Sequence, residues 1–168
     1  IYATEGAVDS YGGEPASPDA IDEALDTGYS LVYHNGHGSF SWITDILDAT
    51  FVRNLDNEIP PVFISCACLS GNFADKAWSS LHEYWEEQTA DTDSAAERFI
   101  TGPAGGVLYV GNTGTGLGPI GGSQYLHALF EARFVQQVPT LGEAFNAGHA
   151  GMRTADWEVA LLPIDMTD

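Results

Sequence analysis

A thiol and an imidazole each follow a short apolar segment of the chain. Cys68 comes after Val62-Phe63-Ile64-Ser65-Cys66, and His37 comes after Ser30-Leu31-Val32-Tyr33-His34. A histidine can activate a nearby cysteine, because the imidazole lowers the pKa of the thiol or accepts its proton. The resulting thiolate is the nucleophile. If the two segments are neighbours in the fold, Cys68 is a candidate nucleophile and His37 a candidate base.

Glycines flank the candidate base. Gly36 and Gly38 flank His37, and such residues let the backbone turn tightly and approach a substrate closely. The backbone N–H groups of Gly38 and Cys68 are candidates for an oxyanion hole that binds a tetrahedral intermediate. The reaction class that fits this set is acyl transfer at a peptide bond.

Three short, apolar, β-prone segments predict buried strands over residues 30–34, 62–66 and 107–110. Helical patterns separate and follow them, and two of these have strong start signals, Ser17-Pro18 and Thr140-Leu141-Gly142-Glu143. The remaining predicted helices are a short one after Asp48 and those over 73–88, 95–100 and 123–136.

This alternation of helices and strands predicts an α/β fold with a mainly parallel sheet between two layers of helices. In such sheets the active site lies beyond the carboxyl ends of the strands. Those ends carry His37, Cys68 and a glycine-rich loop over residues 111–118. The fold class therefore predicts that these three features share one edge of the sheet.

Two of these strand ends resemble a known family. Gly36-His37-Gly38-Ser39 and Ala67-Cys68-Leu69-Ser70-Gly71 resemble the gingipain family of cysteine peptidases, which belongs to the caspase-like group. Segments over 17–25, 96–100, 105–113 and 140–144 agree, so the resemblance covers roughly residues 17 to 150. It implies a caspase-like three-layer α/β/α sandwich.

The resemblance also implies roles for single residues. His37 would be the general base, Cys68 the nucleophile, and the N–H groups of Gly38 and Cys68 the oxyanion hole. The loop from Asn112 to Gly118 would form part of the substrate pocket. The pocket residues expected from these positions are Asn112, Thr113, Gly114 and Ser39.

No cofactor and no catalytic metal are expected, although the family sometimes binds a structural calcium. A zinc site of His34, His37 and Cys68 is disfavoured, because no fourth ligand stands at a recognisable spacing. Cys66 is interpreted as core packing and His34 as structural. A Cys66–Cys68 disulfide is expected to be strained.

Residues 1–168 are interpreted as one catalytic subdomain of a longer chain, with 1–16 as a poorly defined lead-in. An acidic residue that supports the histidine in gingipains would fall before Ile1. The expected partners are a protein or peptide substrate and other domains of the parent chain. Two alternatives to an endopeptidase stay open: a catalytically silent caspase-like binding scaffold, and a transpeptidase or sortase-like variant.

The charge of the chain limits its partners. Five Lys and Arg residues stand against 24 Asp and Glu residues, for a formal net charge of −19. Such a surface repels phosphate backbones and anionic membranes, so nucleic-acid binding is not expected. No apolar run approaches the ~20 residues that cross a bilayer, so membrane insertion is not expected either. An acidic, lysine-poor composition favours a secreted or cell-surface protein, or one adapted to salt.

Overall fold

The computed structural model describes residues 13–41, 43, 47–73, 93–116 and 118–154. Most of the helix predicted over 73–88 and of the lead-in over 1–16 lies outside these residues. The chain divides into two compact units, Ile1–Thr115 and Gly116–Asp168.

A three-stranded parallel sheet organises the first unit, with strand order β1-β2-β3. The predicted α/β order and the parallel sheet are confirmed. The elements, in chain order, are α1 (Pro18–Asp26), β1 (Leu31–His34), α2 (Ala49–Arg53), β2 (Val62–Ser65), α3 (Ala95–Thr101) and β3 (Leu108–Val110).

The helices of this unit begin where side chains can accept their first N–H groups, which have no acceptor inside the helix. The Ser17 hydroxyl accepts from the Ala20 N–H at 3.1 Å, and the Asp48 carboxylate accepts from the Phe51 N–H at 2.8 Å. Both caps confirm the starts predicted for α1 and α2.

In the described part of the first unit, one sheet face and the helices α1, α2 and α3 contribute to a hydrophobic core. Val32, Phe63 and Tyr109 lie on this face, and Leu25, Val52 and Phe99 are among the residues that pack on it. The Phe63 ring stacks on Tyr109 with centroids 5.4 Å apart and meets Phe99 edge-on at 5.0 Å. These aromatic contacts attach α3 to both β2 and β3.

The prediction that all three strands are buried on both faces is wrong for the two outer ones. Tyr33 on β1 is 37% exposed and Leu108 on β3 is 39% exposed, whereas β2 is buried over most of its length. The difference follows from the strand order, because β2 has a neighbour on each side and β1 and β3 flank it.

The described residues of the second unit form two helices and a π-helical segment. α4 (Gly118–Phe130) continues into the π-helical Glu131–Val135, and α5 (Leu141–Thr154) follows. α4 begins earlier than the predicted residue 123. The capping box predicted at the start of α5 is confirmed, since the Thr140 hydroxyl accepts from the Glu143 N–H at 3.2 Å and the Glu143 carboxylate accepts from the Thr140 N–H at 3.2 Å.

Gly105 generates a stability prediction for the first unit. Its φ is +96°, and a Cβ there would collide with the carbonyl oxygen of Phe99. The buried Asn57 holds this backbone, accepting from the Gly105 N–H at 3.1 Å and donating to its carbonyl at 2.9 Å. Gly105→Ala should therefore lower the free energy of unfolding by about 1–3 kcal/mol in urea denaturation.

Gly114→Ala is the matched control, because a Cβ at Gly114 meets no atom within 4 Å. Its free energy of unfolding should stay within about 0.5 kcal/mol of the unchanged chain. Equal stabilities for the two variants would show that the backbone at Gly105 is not constrained in this way.

Candidate active site

The register between β1 and β2 aligns the two candidate loops. His34 stands opposite Ser65 in this parallel pair, and the Cys66 N–H donates to the His34 carbonyl at 3.0 Å. His37 and Cys68 each lie three residues beyond that last pair. Parallel strands end at the same sheet edge, so the loops that carry the two candidates leave the sheet side by side, as the sequence predicts.

The start of α3 ties these two loops together. The Ala95 N–H donates to the carbonyl of Phe40 at 2.7 Å, and the Ala96 N–H donates to the carbonyl of Ser70 at 2.9 Å. The first N–H groups of a helix have no acceptor inside it, so they are available for this role. One rigid helix end thereby fixes the loop after His37 and the turn after Cys68.

A capping box holds that helix end in place. The Ser94 hydroxyl accepts from the Glu97 N–H at 3.3 Å, and the Glu97 carboxylate accepts from the Ser94 N–H at 2.7 Å. Ser94 is fully buried. The signal for this cap is the Ser-x-x-Glu spacing, which the sequence reasoning missed.

A buried cation supports the loop after β1 from the same helix. Arg98 is only 4% exposed, and its guanidinium donates to the Ser41 carbonyl at 3.3 Å. Burial lowers the pKa of Arg98, as does the nearby Arg53, while Asp93 and Glu97 act in the opposite direction. Burying a charged group is costly without compensating polar contacts. The burial of this arginine therefore indicates a structural role inside the first unit.

The turn around Cys68 is closed by its own neighbours. The Ser70 hydroxyl donates to the Ala67 carbonyl at 3.2 Å, and the Asn72 N–H donates to the Leu69 carbonyl at 3.0 Å. Leu69 has a φ of +56°, which is unusual for a residue other than glycine. Backbone strain of this kind persists where the surroundings enforce it, and it is concentrated at functional sites.

Asn112 supports this turn from the loop after β3. Its side-chain amide donates to the carbonyls of Cys66 and Ala67, at 2.9 and 3.2 Å. Its own carbonyl accepts from the Gly71 N–H at 3.0 Å. Asn112 was expected to line the substrate pocket, whereas its amide group is engaged in holding the segment that leads to Cys68.

The other expected pocket residues differ in accessibility. Thr113 and Gly114 are exposed at the loop tip, and the Gly114 carbonyl accepts from the Leu69 N–H at 2.9 Å. Ser39, in contrast, is buried, with 6% of its surface exposed. Of the four predicted pocket residues, Thr113 and Gly114 are thus the exposed ones.

The two candidate catalytic residues and the proposed oxyanion donor lie on these loops. His37 is exposed and Cys68 is partly buried. Gly38 forms an isolated antiparallel bridge with the buried Ile43, which anchors the loop immediately after His37. The contact between His37 and Cys68 stays a prediction.

The second cysteine has a different environment. The Cys66 sulfur lies 3.8 Å from the Tyr33 hydroxyl oxygen, and burial raises the pKa of the Cys66 thiol. Cys66 and Cys68 are not joined by a disulfide. The described residues contain no group of three or more His, Cys, Asp or Glu side chains able to hold a metal ion, so His34, His37 and Cys68 do not form one.

His34 and Ser65 form a polar pair below the loops. The His34 Nδ1 lies 3.0 Å from the Ser65 hydroxyl oxygen, which also accepts from the Ala67 N–H at 3.1 Å. Burial lowers the pKa of His34 to about 4, so the ring is neutral at pH 7. The sequence carries no signal for this contact of Ser65, because a serine within an apolar strand has no distinguishing pattern.

Comparison with known proteins places these features in a family context. A family model described as peptidase family C25 matches residues 1–162. An uncharacterized protein of Archaeoglobus fulgidus is 31% identical over 101 residues, which are 56% of this chain and 23% of that protein. The chain thus spans under a quarter of the length of this relative.

Two solved structures are similar in fold. The Arg-specific cysteine proteinase gingipain R matches with a TM-score of 0.63 and 22% identity, over 83% of this chain and 31% of that one. A complex of the pro- and mature domains of Porphyromonas gingivalis RgpB matches with a TM-score of 0.61 and 21% identity, over 84% and 33% of the two chains. This likeness confirms the predicted caspase-like fold class.

Asn112 generates a testable prediction. Asn112→Ala removes the donor to two strand-end carbonyls, so the free energy of unfolding should fall by about 1–3 kcal/mol in chemical denaturation. Thr113→Ala, at the exposed loop tip, should change it by less than about 0.5 kcal/mol. An Asn112→Ala variant as stable as Thr113→Ala would contradict the supporting role.

His34 predicts a pH dependence of stability. The unfolded chain binds a proton at this side chain near pH 6.5, whereas the folded protein does so only near pH 4. The free energy of unfolding should therefore fall as the pH drops from about 6.5 to 4, by roughly 3 kcal/mol at most. His34→Asn cannot titrate, so its denaturation midpoint should fall less over that window, and parallel curves would refute the prediction.

Proposed function

The chain belongs to peptidase family C25, and we propose that it hydrolyses peptide bonds as a cysteine endopeptidase through a Cys68–His37 dyad. The observation that carries the proposal is the equal step of three residues from the paired His34 and Ser65 to His37 and Cys68. The family match supports the reaction class, and the strand register supports the expectation that these two residues lie close together.

The proposed reaction proceeds in two stages. The Cys68 sulfur attacks the carbonyl carbon of the scissile bond, and His37 accepts the thiol proton. The resulting oxyanion accepts hydrogen bonds from the N–H groups of Gly38 and Cys68. His37 then protonates the leaving amine, which gives an acyl-enzyme. Water, with His37 as its base, resolves this intermediate to the carboxylic acid and the thiol.

The environment of the two loops supports this assignment. His37 is exposed and Cys68 is partly buried, so both side chains are at least partly accessible. Thr113 and Gly114 offer an accessible surface beside the Cys68 turn. The α3 start and the Gly38–Ile43 bridge restrict the loops, and fixed geometry lowers the cost of aligning the reacting groups.

We propose further that this chain works beside other domains of a longer secreted or cell-surface protein. The gingipain chains that it resembles are about three times as long as the matched part, and one of them is seen in complex with its pro-domain. Helices long and apolar enough to cross a membrane are absent from the described residues. The acidic charge favours protein or peptide substrates over nucleic acids.

The two cysteines provide the test. Cys68→Ala should abolish peptide cleavage, measured with a peptide library and mass detection, while the unfolding transition persists. Cys66→Ala is the matched control and should retain cleavage, because burial keeps the Cys66 thiol protonated. Peptidase activity that survives in Cys68→Ala, or a loss confined to Cys66→Ala, would sink the assignment.

The same preparation separates the proposal from a silent scaffold. Iodoacetamide at pH 7 should alkylate Cys68 much faster than Cys66, as read by peptide mass mapping. Equal, slow labelling of both thiols would indicate a scaffold without an activated nucleophile.

A further inference from the structure

The His34 imidazole lies between the two loops that carry the proposed dyad. Its Nδ1 is 3.0 Å from the Ser65 hydroxyl oxygen, so the ring of a β1 residue reaches a side chain on β2. The opposite side of the ring lies against Gly36, since a Cβ on Gly36 would be only 2.7 Å from the His34 Nε2. The ring thus touches the residue that directly precedes His37.

Ser65 extends this connection to the nucleophile. Its hydroxyl oxygen accepts from the Ala67 N–H at 3.1 Å, and Ala67 directly precedes Cys68. Ser65 is almost fully buried. A single hydroxyl group therefore joins the His34 ring to the backbone that leads to Cys68.

We propose that His34 and Ser65 are positioning residues that set the spacing between His37 and Cys68. The proposal rests on the proposed function, because it concerns the geometry of that dyad. His34 and Ser65 form the last pair of the β1–β2 register, so each side chain lies where its strand gives way to a catalytic loop. Together they form one continuous contact from Gly36 to Ala67.

The chemistry of the pair suits a fixed spacer. The His34 ring is neutral at pH 7, because burial lowers its pKa to about 4. A neutral ring can donate from Nδ1 to the Ser65 oxygen or accept its proton, and in both cases Ser65 can still accept from Ala67. The His34 Nε2 is buried and has no hydrogen-bond partner within the described residues.

A double-mutant cycle tests the proposal. His34→Leu and Ser65→Ala should each lower kcat by ~10- to 100-fold with KM within about threefold, because small misplacements of reacting groups slow the chemical step. The double variant should be at most about threefold slower than either single one, since both changes break the same contact. His34→Asn, whose amide can reach the place of Nδ1, should recover most of the lost kcat.

Tyr33→Phe is the matched control. Tyr33 lies next to His34 on β1 but on the opposite sheet face, near the Cys66 sulfur. It should keep kcat within about twofold of the unchanged chain. A second readout needs no substrate: the rate of Cys68 alkylation at pH 7 should fall in His34→Leu and in Ser65→Ala, and stay unchanged in Tyr33→Phe.

The outcomes distinguish this inference from the proposed function. Folded single variants with unchanged kcat and unchanged Cys68 alkylation would overturn the positioning role and leave the peptidase assignment intact. Independent, multiplying losses in the double variant would also overturn it, because the two residues would then act separately. Cleavage that persists in Cys68→Ala would remove the dyad and the inference with it. If His34→Leu fails to fold, Ser65→Ala and the alkylation rate decide.

Discussion

The register of β1 against β2 is the constraint on which the proposed site depends. Parallel pairing puts His34 opposite Ser65, and a shift by one residue would move every side chain of one strand to the other sheet face. Phe63 then could not enter the core between α3 and the sheet, so hydrophobic packing locks the register. The loops that follow inherit this alignment, which is why His37 and Cys68 emerge from equivalent positions.

Register alone aligns strand ends, and the loops beyond them need separate support. The N-terminus of α3 supplies it, because its first two N–H groups bind carbonyls of the two loops, Phe40 and Ser70. The same helix is anchored to the sheet by the contact between Phe99 and Phe63. Core packing is thereby transmitted to the site: a change that tilts α3 would displace both loops together. The positive φ of Leu69 is consistent with this, since such a backbone conformation persists where the surrounding structure enforces it.

Several levels of the structure could be predicted from the sequence, and their reasons are local or periodic. The apolar strands and the Ser17, Asp48 and Thr140 caps follow from patterns within a few residues, so elements and their order were predictable. The hydrogen bonds of Asn112 and Ser65 were not, because each depends on partners brought together by the fold. The burial of Ser39 escaped prediction for the same reason. Exposure of the outer strands depended on strand order, which apolar runs do not encode.

The buried position of Arg98 affects how the charge of the chain is distributed between its interior and its surface. Only five basic residues balance 24 acidic ones, yet one of these five lies buried against the carbonyl of Ser41. A chain selected only for solubility would keep its few cations on the surface, where they reduce repulsion between carboxylates. Arg98 instead supports the loop that carries His37, so its charge serves the position of that loop. The surface is therefore more acidic than it would be with Arg98 exposed. Salt would screen the repulsion between surface carboxylates but would have much less effect on the buried guanidinium.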